Sequence, residues 1–189
     1  ASYAISDRGI YFIVFLFLLA GHPIAYNIFE KKGLIETKKF LTKLTRVYLL
    51  AGIPAVIGLS IIAKSVVSIF TASKFHSGYI IIPWIAAGAF FMGISNIFSL
   101  CLGFYKKMNL LMVCFLIGGI LNIGLNLIFV PNFGYMAAAV TTFISYAIVA
   151  IFIFIISRKL LVWDFPFQSL VKVLFSSVVM GIFVYILNN

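Results

Sequence analysis

The sequence predicts an all-α integral membrane protein, a bundle of six transmembrane helices, and three observations predict it. Hydrophobic residues make up 64% of the 189-residue chain and charged residues only 10%, outside the usual range of soluble domains. The apolar residues fall into blocks of about twenty, enough at 1.5 Å per residue to cross a hydrocarbon layer about 30 Å thick. The cations are concentrated in alternate connecting segments. Backbone groups in lipid must be satisfied within their own segment, and no ten-residue alternation of apolar and polar residues appears. Helices are therefore expected rather than a barrel.

The expected spans are 9–28, 47–70, 79–103, 109–130, 134–157 and 168–187. The first ends near His22 and Pro23, where proline loosens the final turns. A cleaved signal peptide is the competing reading of this block, but a single Arg8 beside Asp7 makes a weak basic region and no small-x-small cleavage site follows. Gly33 then breaks the chain. From Glu36 to Tyr48, Phe40, Leu41, Leu44, Val47 and Tyr48 share one helical face while Lys38, Lys39, Lys43 and Arg46 fall mostly elsewhere. This predicts an interfacial amphipathic helix feeding the second span. Its four cations are candidate contacts for anionic phospholipid headgroups, at about 1 kcal/mol each.

Pro54 is expected to kink the second span, and Lys64, about 27 Å along the helix from Arg46, to snorkel to the far interface. The third span carries Asn96 with Ser95 and Ser99 on one face, and the fourth carries Asn122 and Asn126 one turn apart. Polar side chains inside spans are pointers to function, but they also hydrogen-bond between helices for about 0.6–2 kcal/mol each. Both roles are open for these asparagines. Pro131 is expected to end the fourth span and Pro-Asn-Phe-Gly to form a tight turn. Gly134, Ala138 and Thr142, every four residues, predict a small-residue seam on the fifth span. Lys172 lies about a turn inside the last span and is expected to snorkel. Cys101 and Cys114 are expected to be packing residues.

The net charge of +10 reads as topology and not as a nucleic-acid surface. Lys31, Lys32, Lys38, Lys39, Lys43 and Arg46 lie in the first connection, Lys106 and Lys107 in the third, Arg158 and Lys159 in the fifth. The second holds only Lys74 and the fourth no cation. The positive-inside rule puts the odd connections on the cytoplasmic side and both chain ends outside. An outer start, a first residue other than Met and a span beginning after eight residues lead to the expectation of at least one further span before Ala1.

Four acidic residues, Asp7, Glu30, Glu36 and Asp164, all avoid the middle of a span. No carboxylate pair, phosphate-binding glycine loop or nucleophile motif is present, so neither catalytic residues nor a cofactor are expected from this chain. His22 and His76 have no second ligand at metal-binding spacing, so no metal site is expected either.

From Lys106 the run "KKMNLLMVCFLIGGILNIGLNLIFVPNFGYMAAAVTTFISY" resembles the C-terminal part of polysaccharide flippases, in the multidrug, oligosaccharidyl-lipid and polysaccharide exporter superfamily. The shared pattern is a Lys-rich turn (Lys106, Lys107), Asn126-Leu127 before Pro131, Gly134, Ala137 to Ala139, Thr141, and Ser145-Tyr146. Met136 departs from it, standing where the pattern has a small residue. The opening "ASYAISDRGIYF", "PAVIGL" and "IIPWIAAGAFFMGI" also fit the family's preceding helices.

The resemblance implies one lobe of a two-lobe transporter, partnered by an N-terminal lobe of the same protein. It implies a multi-pass protein of the bacterial cytoplasmic membrane that moves an undecaprenyl-diphosphate-linked oligosaccharide outward by alternating access. Such a cargo needs cations for the diphosphate, a polar volume for the sugars and an apolar groove for the lipid. Candidate substrate contacts are Asp7, Arg8, Lys64, Asn96, Asn122 and Asn126. Within the same superfamily, a drug exporter or a peptidoglycan-precursor flippase is the alternative; from another class, a membrane enzyme of glycan assembly. The short outer connections argue against the enzyme.

Overall fold

The computed structural model describes residues 2–70 and 78–187, with side chains described for 21–69, 78–184 and 186. Its α-helices are α1 (Ser2–Ile61), α2 (Ala63–Phe70), α3 (Ile82–Phe104), α4 (Met108–Leu160) and α5 (Phe167–Leu187), and no strand occurs among the described residues. Four helical stretches are long and apolar enough to cross a membrane: Gly21–Ile61, Gly78–Phe104, Met108–Leu160 and Phe167–Val184. This is an all-α, multi-pass membrane architecture. It differs from the expected six separate spans because two expected connections, at Gly33 and Gly134, are single-residue breaks inside α1 and α4.

Both breaks reverse the chain. At Gly134, φ is 61° and ψ −148°; at Gly33, φ is 78° and ψ −175°. These are conformations essentially reserved for glycine, because a Cβ would collide with the backbone. A straight α4 would separate Gly118 from Val149 by about 46 Å, yet a Cβ on Gly118 would run into the Val149 side chain. The stretches 108–133 and 135–160 therefore lie antiparallel as a hairpin. α1 folds back in the same sense, since a Cβ on Gly21 would lie 3.5 Å from the Leu44 methyls, about 34 Å away along a straight helix.

One proline behaves differently from expectation. Pro131 does not end its helix: residues up to the Gly134 break remain helical. Pro54 sits within α1 among residues of helical φ/ψ. Packing in the bundle supports the helix across the missing hydrogen bond.

α3 is the central element and is mostly buried; it touches both α1 and α4, while α5 packs on α1. α3 closes with a Schellman-type cap. Lys106 adopts φ 55°, its N–H donates to the Gly103 carbonyl at 2.9 Å, and the Lys107 N–H donates to Leu102 at 2.8 Å. This geometry turns the chain within three residues. The connection 161–166 closes the same end, where Trp163 and Phe165 join Phe98 and Phe154 in an aromatic cluster.

The amphipathic stretch 36–46 is continuous with the helix that follows it. Leu41 and Tyr48 of the expected face are buried and Phe40 and Leu44 pack partly buried against the same core, while Val47 is 42% exposed and the buried stripe takes in Thr37 and Thr45 instead. The Thr37 hydroxyl bonds the preceding turn, donating to the Gly33 carbonyl at 2.8 Å, whereas the buried Thr45 hydroxyl has no hydrogen-bond partner among the described residues.

The expected seam on 134–157 is displaced as well. Gly134 has nothing within 4 Å of its would-be Cβ, and Ala138 and Thr142 are only partly buried. The buried line is Ala137, Thr141, Ser145 and Val149, at 7%, 3%, 1% and 2% exposure. Gly134 serves the turn, and the close approach comes from Gly118 on the opposite arm. Cys101 and Cys114 are free thiols, both buried.

Candidate functional site

The folding of α1 and α4 brings chemistry-bearing residues together in two places. The first is a polar network inside the α4 hairpin. The Thr141 hydroxyl donates to Asn126 Oδ1 at 2.7 Å, Asn126 Nδ2 donates to Asn122 Oδ1 at 3.0 Å, and Asn122 Nδ2 reaches Thr142 Oγ1 at 3.4 Å. The Thr142 hydroxyl completes the relay by donating to the Ala138 carbonyl at 2.8 Å. The pairings follow from the turn: 126 and 141 are equidistant from the Phe133–Gly134 junction, so their side chains meet when the arms close. Each amide carbonyl and hydroxyl oxygen is engaged in one direction, which is the condition for a polar cluster to stabilise an apolar core.

One side of this network opens into a groove of about 540 Å³ between α3 and the two arms, lined by Asn122, Thr142, Tyr146, Gly118, Gly119 and Met92 among others. Two glycines on one wall widen it. The groove offers amide and hydroxyl groups with no carboxylate or cation among its lining residues, a chemistry that suits hydroxyl-rich ligands better than ions. Replacing Asn126 with alanine is expected to lower stability by about 0.6–2 kcal/mol, because it removes the bond between the arms and strands the Asn122 carbonyl, while the Thr141 hydroxyl keeps only the Ala138 carbonyl of its own helix, at 3.1 Å. Thermal unfolding in detergent checks this, with Asn132→Ala as the exposed comparison.

The second place is the end of the bundle carrying the Gly33 break, the 105–107 turn and the 161–166 connection. Phe29 stacks on Phe104 at 4.6 Å between centroids and also meets Tyr105, while the Thr42 hydroxyl donates to the Asp164 carbonyl at 2.8 Å. These contacts, with the antiparallel arms of α4, gather Lys31, Lys32, Lys38, Lys39, Lys43, Lys106, Lys107, Arg158 and Lys159 at one end. Arg158 and Lys159 occupy the last turn of α4, where the helix dipole favours cations, and Arg158 Nη1 donates to the Trp163 carbonyl at 3.1 Å.

Lys38, Lys39, Lys43 and Arg46 line a groove of about 600 Å³ with Thr42 and Asp164, bounded by Ile35 and Val47. Lys39 pairs with Glu36 at 2.7 Å, an exposed contact of little energetic weight.

The remaining candidates are scattered. Asn96 Nδ2 donates to the Met92 carbonyl of its own helix at 2.9 Å, and Asn96 is absent from the groove beside Asn122. Lys64 is exposed at the start of α2. Asp7 and Arg8 lie in the helical stretch whose side chains are outside the described residues, and Lys74 and His76 lie outside the described residues altogether. Among the described residues, no three His, Cys, Asp or Glu side chains come within reach of a common metal ion.

Sequence reasoning missed Asp164 and Thr42 in the cationic groove, and Tyr146 and Thr142 beside Asn122. The signal for Tyr146 was its position, mirrored from Asn122 about Gly134; Asp164 carried none, because 161–166 is irregular. Compared with protein-family models and with curated proteins, the chain matches none.

Proposed function

We propose that the chain is one lobe of a flippase that moves a polyprenyl-diphosphate-linked oligosaccharide from the inner to the outer leaflet of the bacterial cytoplasmic membrane. One observation carries the reading. Five of the residues on which the resemblance rests, Asn126, Gly134, Ala137, Thr141 and Ser145, make up one structural unit, in which Gly134 turns the chain, Asn126 and Thr141 bond across the arms, and Ala137 and Ser145 form the seam.

In this reading six crossings result when α1 and α4 each pass the membrane twice, at 9–28, 47–70, 79–103, 109–130, 134–157 and 168–187. A straight helix of 53 residues would run about 80 Å, far beyond a 30 Å layer, which favours two passes for α4. The cationic end faces the cytoplasm and meets anionic phospholipid and the cargo diphosphate through Lys38, Lys39, Lys43 and Arg46. The neutral groove beside Asn122 suits sugar hydroxyls. An apolar groove of about 420 Å³ between Leu49, Ile53, Phe90, Phe98, Ala150 and Leu174 suits a hydrocarbon chain. Arg8 and Lys64 are the cations for the outward-facing state. The second lobe completes the cavity, and the chain carries no catalytic step.

The test is carried out in cells with the full-length protein. Its removal is expected to accumulate lipid-linked oligosaccharide on the cytoplasmic leaflet, and Arg8→Ala to abolish export while membrane insertion persists. Unchanged surface glycan after removal would overturn the reading; normal export by the Arg8 variant would overturn only that residue's role.

A further inference from the structure

α5 touches the rest of the bundle mainly through α1, and at that contact lies a groove of about 380 Å³ lined by Leu50, Pro54, Lys172, Ser176, Ser177 and Met180 among others. Three features make it unlike the apolar surface around it. Lys172 is an exposed cation within a membrane-crossing helix, and it has neither a hydrogen bond nor an ion pair among the described residues. Less than two turns inside the span, its ammonium reaches the interface by snorkelling, where anionic headgroups are its natural partners. Ser177 is 2% exposed, yet its hydroxyl has no hydrogen-bond partner, not even the carbonyl four residues earlier. A buried polar group in this state costs about 1–3 kcal/mol. Finally, Pro54 has no N–H to give the Leu50 carbonyl one turn earlier in α1, which leaves that carbonyl without its usual intrahelical donor.

We propose that this groove binds the headgroup of an anionic phospholipid that carries a hydroxyl beside its phosphodiester. The phosphodiester oxygens accept from the Lys172 ammonium and the Ser177 hydroxyl, and the headgroup hydroxyl donates to the Leu50 carbonyl. The depth is right for this ligand. Lys172 stands five residues into α5, about 7–8 Å from its start, at the end of the bundle that holds Arg158 and Lys159. Beyond it, Phe175, Val178, Val179 and Ile182 remain exposed along α5 and offer an apolar face to the acyl chains. The site involves none of the residues assigned to cargo and stands whether or not the chain is a flippase.

Native mass spectrometry of the whole chain, released from detergent with dioleoyl phosphatidylglycerol, dioleoyl phosphatidylcholine or inorganic phosphate, tests the proposal. Lys38, Lys39, Lys43 and Arg46 also attract anionic lipid, so the site is read as a difference between variants. Lys172→Gln is expected to lower the ratio of phosphatidylglycerol-bound to phosphatidylcholine-bound protein about fivefold, the contribution of one cation near a membrane surface, and to do so equally in a Lys38→Gln background; Lys172 is exposed, so this variant should fold. Ser177→Ala is expected to lower the retention of both lipids. Equal retention of the two lipids, a Lys172→Gln variant with the ratio of the unaltered protein, or displacement of the lipid by inorganic phosphate alone would each overturn the proposal.

Discussion

Gly134→Val is expected to destabilise the protein by about 1–3 kcal/mol or more, the cost of holding a side chain in a region of φ/ψ space that only glycine occupies freely. β-Branching adds to the strain, since valine is a genuine outlier at positive φ. The would-be Cβ meets no neighbour, so the whole penalty comes from the backbone at φ 61°. A chain that relieves it by straightening would separate Asn126 from Thr141 and pull the buried line of Ala137, Thr141 and Ser145 away from the opposite arm. Thermal unfolding in detergent, read by intrinsic fluorescence, should show a clear drop in midpoint. Gly119→Ala is the matched comparison: that glycine also has nothing within 4 Å but lies in regular helix. Alanine there is expected to be neutral or to stabilise by up to about 1 kcal/mol. Equal midpoints for the two variants would contradict the hairpin.

Gly118→Ala should fail for the opposite reason. Its backbone is ordinary helix, but the added methyl would run into the Val149 side chain with the Ser145 carbonyl behind it, so the arms must part. Overpacking of this kind costs about 1–3 kcal/mol. The second substitution Val149→Ala makes room, and the double variant is expected to recover much of the loss, with a coupling of about 0.5–3 kcal/mol. Strictly additive losses would mean that the two residues do not meet. Together the two glycines separate the ways in which the hairpin depends on small residues: Gly134 supplies a backbone conformation, and Gly118 supplies space.

The hairpin also decides what the intramembrane asparagines do. From sequence, Asn122 and Asn126 are two polar residues one turn apart, equally suited to bonding a neighbouring helix or lining a cavity. In the fold they divide these roles. Asn126 is held between Thr141 and Asn122, whereas Asn122 also lines the groove beside Tyr146. Asn96, which looks equivalent in the sequence, turns back to its own helix at Met92. A polar residue within a span is visible in the sequence, but its partner depends on which helix face meets it.

Composition by itself determined the class of this protein. An apolar content of 64%, block lengths near twenty residues and sorted cations require helices in a membrane, because no other backbone arrangement satisfies its own hydrogen bonds there with such side chains. The turn at Pro-Asn-Phe-Gly was legible too, although glycine rather than proline makes the break. The register was decided by tertiary structure. A seam shifted from Gly134-Ala138-Thr142 to Ala137-Thr141-Ser145, or a buried stripe that gives up Val47 and takes in Thr37 and Thr45, leaves the local pattern of small and apolar residues almost equally good. In a chain that is apolar all round, hydrophobicity does not say which face turns inward. Close packing between arms and the pairing of hydroxyls and amides make that choice, and both exist only once Gly33 and Gly134 have folded the helices back.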